Sequence, residues 1–325
     1  MEWNDRSILV TGAAGFIGSH LCRALLTRNA RVVGIDNLDP FYDPAIKQRA
    51  DERTRAQHPD AYTPVRADIN DTPRIESLLK EHRVEGIIHL AAKAGVRPSI
   101  EDPIGYAHAN VTGTASVLHA ASRAGCARVI IASSSSVYGN NTKVPFAEDD
   151  PVESPISPYA ATKRACELLA FSHHRLTGTP IAMLRFFTVY GPDQRPDLAI
   201  SKFMKLLRAG KPIPMFGNGN TSRDYTFIDD IVSGVLASYQ RIDAHGYRIW
   251  NLGGNAPVTL NQLIASIGRV AGTEPAIEHR PPQPGDVERT WADLTRSAAE
   301  LGYSPRTTLE SGLRAQWEAI SQTDR

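Results

Sequence analysis

The sequence predicts an α/β fold, a doubly wound parallel sheet with helices on both faces, followed by a smaller C-terminal lobe. Three observations lead there. Apolar runs of strand length alternate with stretches of helical periodicity through residues 1–187, and a glycine-punctuated turn joins the first run to the first helix. Beyond Tyr190-Gly-Pro192 the alternation gives way to shorter elements broken by proline and glycine, among them the loop Gly217-Asn-Gly-Asn220. We therefore expect one domain over 1–187 and a second lobe, for substrate, over 188–325. The stretch 229–255 is expected to return to the first.

The first element is the buried strand Ser7-Ile-Leu-Val-Thr11, which runs into Gly12-Ala-Ala-Gly15-Phe16-Ile17-Gly18 and then a helix over 17–28 through Leu21, Leu25 and Leu26. Small residues let the backbone turn sharply and approach a pyrophosphate, and the helix N-terminus offers free N–H groups and the positive end of its dipole. The spacing is G-x-x-G-x-x-G rather than G-x-G-x-x-G. No Gly-Lys-Ser/Thr follows, so a P-loop is excluded. A second strand, Arg31-Val-Val-Gly-Ile35, ends in Asp36. That carboxylate stands about twenty residues past the glycines, where it meets adenosine ribose hydroxyls in Rossmann-type folds. It would repel a 2′-phosphate and no arginine immediately follows it, which favours NAD over NADP. A cap or turn role for Asp36 explains less of this context.

Further strands are expected over 63–67, 86–92, 128–134 and 181–188, with helices over 72–82, 108–124 and 159–176. Asp68 ends the third strand within reach of an adenine edge, and Leu90, Ala91 and Ala92 end the fourth beside the cofactor, because ligands of such sheets bind outside the carboxyl ends of the strands. The charged stretch 43–60 is expected to be a solvated helix or loop, and another strand is expected over 249–252. His89 ends a buried strand and reads as a structural histidine.

The chemistry is carried by Ser133-Ser134-Ser135-Ser136-Val-Tyr-Gly followed by Ser157-Pro-Tyr159-Ala-Ala-Thr-Lys163. Tyr159 and Lys163 are four residues apart, so a helix opening at Pro158 sets them side by side on one face. A phenol titrates near 10, and its use as a base near neutrality takes a shift of about three units, roughly 4 kcal/mol. A neighbouring ammonium and an oxidised nicotinamide are sources of that stabilisation. Tyr-x-x-x-Lys alone recurs by chance on surface helices; here it follows a dinucleotide turn and a hydroxyl cluster at a strand end.

Composition limits the alternatives. A chain of 325 residues with 42% hydrophobic content can bury a sizeable core, and a formal net charge of +1 gives no sign of a nucleic-acid-binding surface. Cys22, Cys126 and Cys166 lack metal-ligand spacing, so no metal is expected, and they read as reduced thiols of a cytoplasmic protein. No signal peptide opens the chain and no apolar run approaches the ~20 residues of a membrane span. A G-x-S-x-G hydrolase elbow is absent.

From Ile8 to about Ala319 the chain resembles the extended short-chain dehydrogenase/reductases that modify nucleotide sugars, and within them the UDP-glucuronate 4-epimerases. The matching segments are TGAAGFIGSHL at 11–21, GIDNL at 34–38, HLAAKAGVRPSIEDP at 89–103, SSSSVYG at 133–139, SPYAATK at 157–163, LRFFTVYGPDQRPD at 184–197 and RDYTFIDDI at 223–231. The resemblance implies Ser134, Tyr159 and Lys163 as the catalytic set. It implies that Gly12, Gly15, Phe16, Ile17, Gly18, Asp36, Asn37, Asp68, Ile69, Leu90, Ala91 and Ala92, with Tyr159 and Lys163, hold NAD. It places Arg97, Ser135 and Ser136 around the sugar, Thr188 and Arg195 near its carboxylate, Arg223 at the diphosphate and Asp286 on the uridine ribose. It further implies a homodimer joined through the helices at 108–124 and 159–176. UDP-galactose 4-epimerases usually carry arginine where this chain has Gln283 and asparagine where it has Thr188, which sets it apart from them.

The serines separate sister reactions. Dehydratases of this family typically carry Asp-Glu before Val-Tyr-Gly, and UDP-glucuronate decarboxylases carry Glu in the second place; here the pair is Ser135 and Ser136, and neither is an acid or base near neutrality. That favours 4-epimerisation of a UDP-sugar through a 4-keto intermediate without a further step. The same reaction on UDP-glucose or UDP-N-acetylglucosamine, and decarboxylation, remain alternatives. A non-catalytic NAD-binding sensor would commonly have lost the Tyr or Lys retained here.

Overall fold

The computed structural model describes residues 3–281 and 287–323. It comprises two compact units. The first contains Met1–Gly139, Pro151–Arg185 and Val232–Trp250; the second contains Asn140–Asp150, Phe186–Ile231 and Asn251–Arg325.

The first unit begins β1 (Ser7–Thr11), α1 (Phe16–Leu26), β2 (Arg31–Asp36), α2 (Pro44–Gln57), β3 (Tyr62–Arg66), α3 (Thr72–Glu81) and β4 (Gly86–His89). It continues through α4 (Val96–Glu101), α5 (Pro103–Tyr106), a π-helical turn (Ala107–Thr112), α6 (Gly113–Ala124), β5 (Arg128–Ser134), a 3-10 turn (Ser135–Tyr138), α7 (Pro158–Thr177) and β6 (Ile181–Phe186). With the strand Tyr247–Leu252 these form a seven-stranded sheet in the order Tyr247–Leu252, β6, β5, β4, β1, β2, β3. The pairs β1–β2, β2–β3, β1–β4 and β4–β5 run parallel. Strand order reverses direction between β1 and β4, the switch point outside which such sheets bind ligands. Strands β1, β4 and β5 are buried along their whole length, as expected of a sheet covered on both faces. Leu9, Val33, Ile87, Val129 and Met183 from successive strands form its core with Leu78 of α3, Val117 of α6 and Cys166 of α7.

In the second unit the strand Ser222–Phe227 pairs in parallel with Thr188–Tyr190 and antiparallel with Pro257–Thr259. Ile213–Phe216 pairs in parallel with Ile277–Arg280. The unit's helices include Ala199–Arg208, Leu260–Ala271 and Leu309–Thr323.

Several boundaries differ from the sequence reading, each for a local reason. β4 stops at His89, so Leu90, Ala91 and Ala92 follow the strand rather than ending it. The Leu90 N–H already binds the Thr11 carbonyl at 3.2 Å and the Ala91 N–H the Thr11 hydroxyl at 3.2 Å, which turns the chain over the start of the glycine loop. The apolar run 181–188 is two strands broken at Phe187, whose N–H binds the Leu252 carbonyl at 3.0 Å. The helix expected over 108–124 opens with the π turn, and the 43–60 stretch is helical over Pro44–Gln57, capped by Asp43. The segment Asn140–Asp150, expected with the first lobe, belongs to the second unit, where the Phe146 N–H binds the Trp291 carbonyl at 2.7 Å.

Candidate active site

The turn after β1 is built for close backbone approach. Gly12 has φ +70°, and a Cβ there would lie 2.8 Å from the Ala91 nitrogen; at Gly18 it would lie 2.0 Å from the Gly12 carbonyl oxygen. Both positions exclude any larger residue. Gly15 caps α1 without a side-chain hydrogen bond, so the first-turn N–H groups face outward for an anion. Phe16 is buried, while Ile17 is half-buried. Asp36, at the end of β2, accepts the Ala14 N–H at 3.2 Å and the Leu38 N–H at 2.8 Å, which fixes its carboxylate beside the turn. Asn37 donates to Asp68 at 3.0 Å, and Asp68 also accepts the Asn70 N–H at 2.8 Å. Burial opposes ionisation of Asp68, but these bonds outweigh it and hold the carboxyl below its ordinary range. Ile69 packs where α6 begins: a Cβ on Gly113 would come within 2.4 Å of its terminal carbon. A glycine cradle, an uncapped helix start and an oriented carboxylate fit the pyrophosphate and adenosine ribose of NAD.

The candidate reactive pair stands on α7. Ser157 caps the helix by accepting the Ala160 N–H at 3.1 Å, and Pro158 occupies its first turn. The Tyr159 N–H donates to the Ser99 hydroxyl of α4 at 3.1 Å, so an otherwise orphaned first-turn donor ties the reactive end of the helix to its neighbour. The Tyr159 ring is half-buried and stands edge-on to Tyr106 at 6.2 Å between centroids. Lys163 is buried, and its ammonium donates to the Ala132 carbonyl of β5 at 2.8 Å. Two residues on, Ser134 leaves β5 in extended conformation and accepts the Ser136 N–H at 3.2 Å, which starts the 3-10 turn through Ser135 and Ser136. The Ser134 and Ser136 hydroxyls are themselves 3.2 Å apart. Arg97 is exposed on α4.

Sequence reasoning missed two supports. Asn110, in the π turn, is buried; it accepts the Lys93 N–H at 2.8 Å and donates to the Lys93 carbonyl at 3.0 Å and to the Thr162 hydroxyl at 3.0 Å. It thereby joins the loop after β4 to α7. The second support is Glu167, paired with Arg185 of β6. A lone arginine inside the apolar run Ile-Ala-Met-Leu-Arg185-Phe was the available signal, since a fully buried arginine needs an acidic partner.

Within the second unit Thr188 opens the strand Thr188–Tyr190 and is half-buried. Arg195 forks onto Asp197, Nε to Oδ1 at 3.0 Å and Nη2 to Oδ2 at 2.6 Å. Arg223 donates to the Ser222 carbonyl at 2.9 Å. Its neighbour Asp224 is buried and accepts backbone N–H groups from Gly254, Asn255 and Ala292, yet burial still pushes its carboxyl up to about 6. Asp286 and Gln283 lie outside the described residues. Among the described residues no group of His, Cys, Asp or Glu is arranged to hold a metal ion, and no helix is long and apolar enough to cross a membrane.

The glycine turn, the carboxylate after β2 and the Tyr-Lys helix beside a serine-ended strand define a dinucleotide-dependent enzyme of the short-chain dehydrogenase type. The chain belongs to the NAD dependent epimerase/dehydratase family, whose model matches residues 8–253. It is 43% identical over 311 residues to an uncharacterized protein of Methanocaldococcus jannaschii, covering 95% of this chain and 94% of that one. It is 40% identical over 308 residues to a UDP-glucuronate 4-epimerase of Thermodesulfobacterium geofontis, covering 94% and 93%. The crystal structure of a Bacillus cereus UDP-glucuronic acid 4-epimerase, in complex with UDP-glucuronic acid and NAD, superposes with a TM-score of 0.91 at 36% identity, covering 98% of this chain and 99% of that one.

Proposed function

We propose that this enzyme is an isomerase that interconverts UDP-glucuronate and UDP-galacturonate by NAD-dependent epimerisation at C4. The observation that carries the reading is the pairing of Tyr159 and Lys163 on α7 with the hydroxyl run at the end of β5, in a chain 40% identical to a UDP-glucuronate 4-epimerase over nearly its full length.

NAD, when bound, reversibly accepts hydride from sugar C4 and is regenerated in every cycle. Tyr159, as tyrosinate, takes the proton of the 4-hydroxyl and returns it after the sugar has turned over. Ser134 hydrogen-bonds the same oxygen and relays the proton. Lys163, with one ammonium N–H on the Ala132 carbonyl, would use another to hold the nicotinamide ribose, and its charge would favour the tyrosinate. Ser135 and Ser136 offer hydroxyls to the sugar without an acid or base that would drive elimination. Arg97 contacts the sugar as well.

Thr188 and Arg195 hold the sugar carboxylate. The 4-keto intermediate is a β-keto acid and loses carbon dioxide when the bond from C5 to the carboxylate aligns with the ketone π-system; a guanidinium clamp keeps it out of alignment. Arg223 meets the diphosphate, and Asp286 the uridine ribose. We further propose a cytoplasmic homodimer formed through α6 and α7. Its support is that the cysteines are all free thiols and that Leu168 and Phe171 leave about half of their surface exposed on α7, at 54% and 49%.

The test is incubation of the purified enzyme with UDP-glucuronate, UDP-glucose and UDP-N-acetylglucosamine in turn, with the products identified by NMR. Preferential turnover of UDP-glucuronate is expected; preference for a neutral sugar would overturn the substrate assignment.

A further inference from the structure

Glu167 stands four residues beyond Lys163 on α7, with its side chain fully buried. Its carboxylate gathers donors from three elements. The Ser133 hydroxyl donates to Oε1 at 2.7 Å, Arg185 donates from Nε to Oε1 and from Nη2 to Oε2, each at 2.9 Å, and Arg164 donates to Oε2 at 3.0 Å. Burial alone would push this carboxyl up, but the Arg185 bonds outweigh it and hold it below its ordinary range. Arg185 in turn lies 4.7 Å from the centroid of the Tyr138 ring, the last residue of the 3-10 turn.

The placement of these bonds matters more than their number. Lys163 binds Ala132 and Glu167 binds Ser133, so α7 is pinned to β5 at two successive residues, and the next residue is Ser134. A buried ion pair contributes little net stability compared with apolar residues of similar volume, because desolvation offsets the attraction. What a bidentate fork supplies is a fixed direction and distance. Reactions between positioned groups are sensitive to that: a displacement of about 1 Å can cost on the order of a hundredfold in rate.

We propose that Glu167 is a positioning residue which, through Ser133 and Arg185, sets the separation between the Tyr159 phenol and the Ser134 hydroxyl. The inference rests on the roles given to Tyr159 and Ser134 under the proposed function. Ser133 therefore anchors the serine run and is not one of its reacting hydroxyls.

Three variants test this with UDP-glucuronate as substrate. Ser133→Ala removes only the bond from β5 and leaves the ion pair; kcat should fall about tenfold or more, with KM, bound NAD and thermal midpoint close to wild type. Glu167→Gln should lower both kcat and the thermal midpoint. The double variant Glu167→Met with Arg185→Met should regain the thermal midpoint lost in Glu167→Gln while kcat stays low. A wild-type kcat in Ser133→Ala, or a kcat that recovers with stability in the double variant, would overturn the positioning role and leave the pair as scaffold. If the double variant does not fold, Ser133→Ala decides alone. Tyr159→Phe measured alongside separates the two levels. An active Tyr159→Phe removes the underlying mechanism, whereas an inactive one beside an unimpaired Ser133→Ala removes only the positioning role.

Discussion

The Thr11 hydroxyl and the His89 ring meet at 2.7 Å, joining β1 to β4 at the point where strand order reverses. The Thr11 hydroxyl also accepts the Ala91 N–H, and on the far side of the ring Nε2 pairs with the Thr114 hydroxyl of α6 at 3.1 Å. The ring is neutral and bonded at both nitrogens, as befits a structural histidine. Burial, and secondarily the charge of Lys163, push it down to about 3.

That depression makes a pH prediction. The unfolded chain protonates this histidine near 6.5 and the folded chain only near 3, so the stability it contributes is complete above about pH 6.5 and is lost as pH falls toward 3. Between about pH 7 and pH 5 the loss from this group alone is about 2 kcal/mol. Unfolding free energies measured at both pH values should drop by roughly that much less in His89→Asn than in wild type. Equal drops would place the acid sensitivity elsewhere.

Asp36 carries the cofactor prediction. Its carboxylate is held by the Ala14 and Leu38 N–H groups and would face a 2′-phosphate directly. Calorimetry should give NAD at least tenfold tighter than NADP, about 1.4 kcal/mol, with the gap narrowing in Asp36→Asn. Equal affinities in wild type would contradict the assignment.

Tyr159→Phe deletes the proposed base and leaves the glycine turn untouched. Activity should fall by about two to four orders of magnitude while bound NAD persists, and Lys163→Ala should weaken both. Steady-state rates and the NAD content of the purified variants check this.

Arg195 tests the carboxylate clamp. Parallel charge-assisted bonds from a guanidinium contribute about 1.5–3 kcal/mol each, and in this structure Asp197 takes such a fork. Arg195→Ala should lose preference for UDP-glucuronate over UDP-glucose and release more decarboxylated pentose per epimer formed. An unchanged product ratio together with an unchanged preference would assign Arg195 to the diphosphate or to the loop alone.

The parts of this site that were legible in the sequence are those coded locally. Gly12 and Gly18 are read from a turn that tolerates no side chain, Asp36 from its place at the end of an apolar strand, and Tyr159 and Lys163 from helical spacing after Ser157 and Pro158. What was not legible depends on partners distant in sequence. The break at Phe187 lies inside one continuous apolar run, and periodicity does not say that the strands on either side of it join different sheets. β4 stops at His89 because Thr11, 78 residues earlier, takes up the next N–H groups. The Glu167–Arg185 pair shows only as two charges in apolar surroundings until the fold brings α7 onto β6.

The most direct test of the account uses UDP-glucuronate carrying deuterium at C4, with the product identified by NMR and mass spectrometry. The account predicts UDP-galacturonate that retains the deuterium at C4, because hydride leaves and returns within one active site. A product without the label at C4, or a decarboxylated UDP-pentose as the main product, would contradict it.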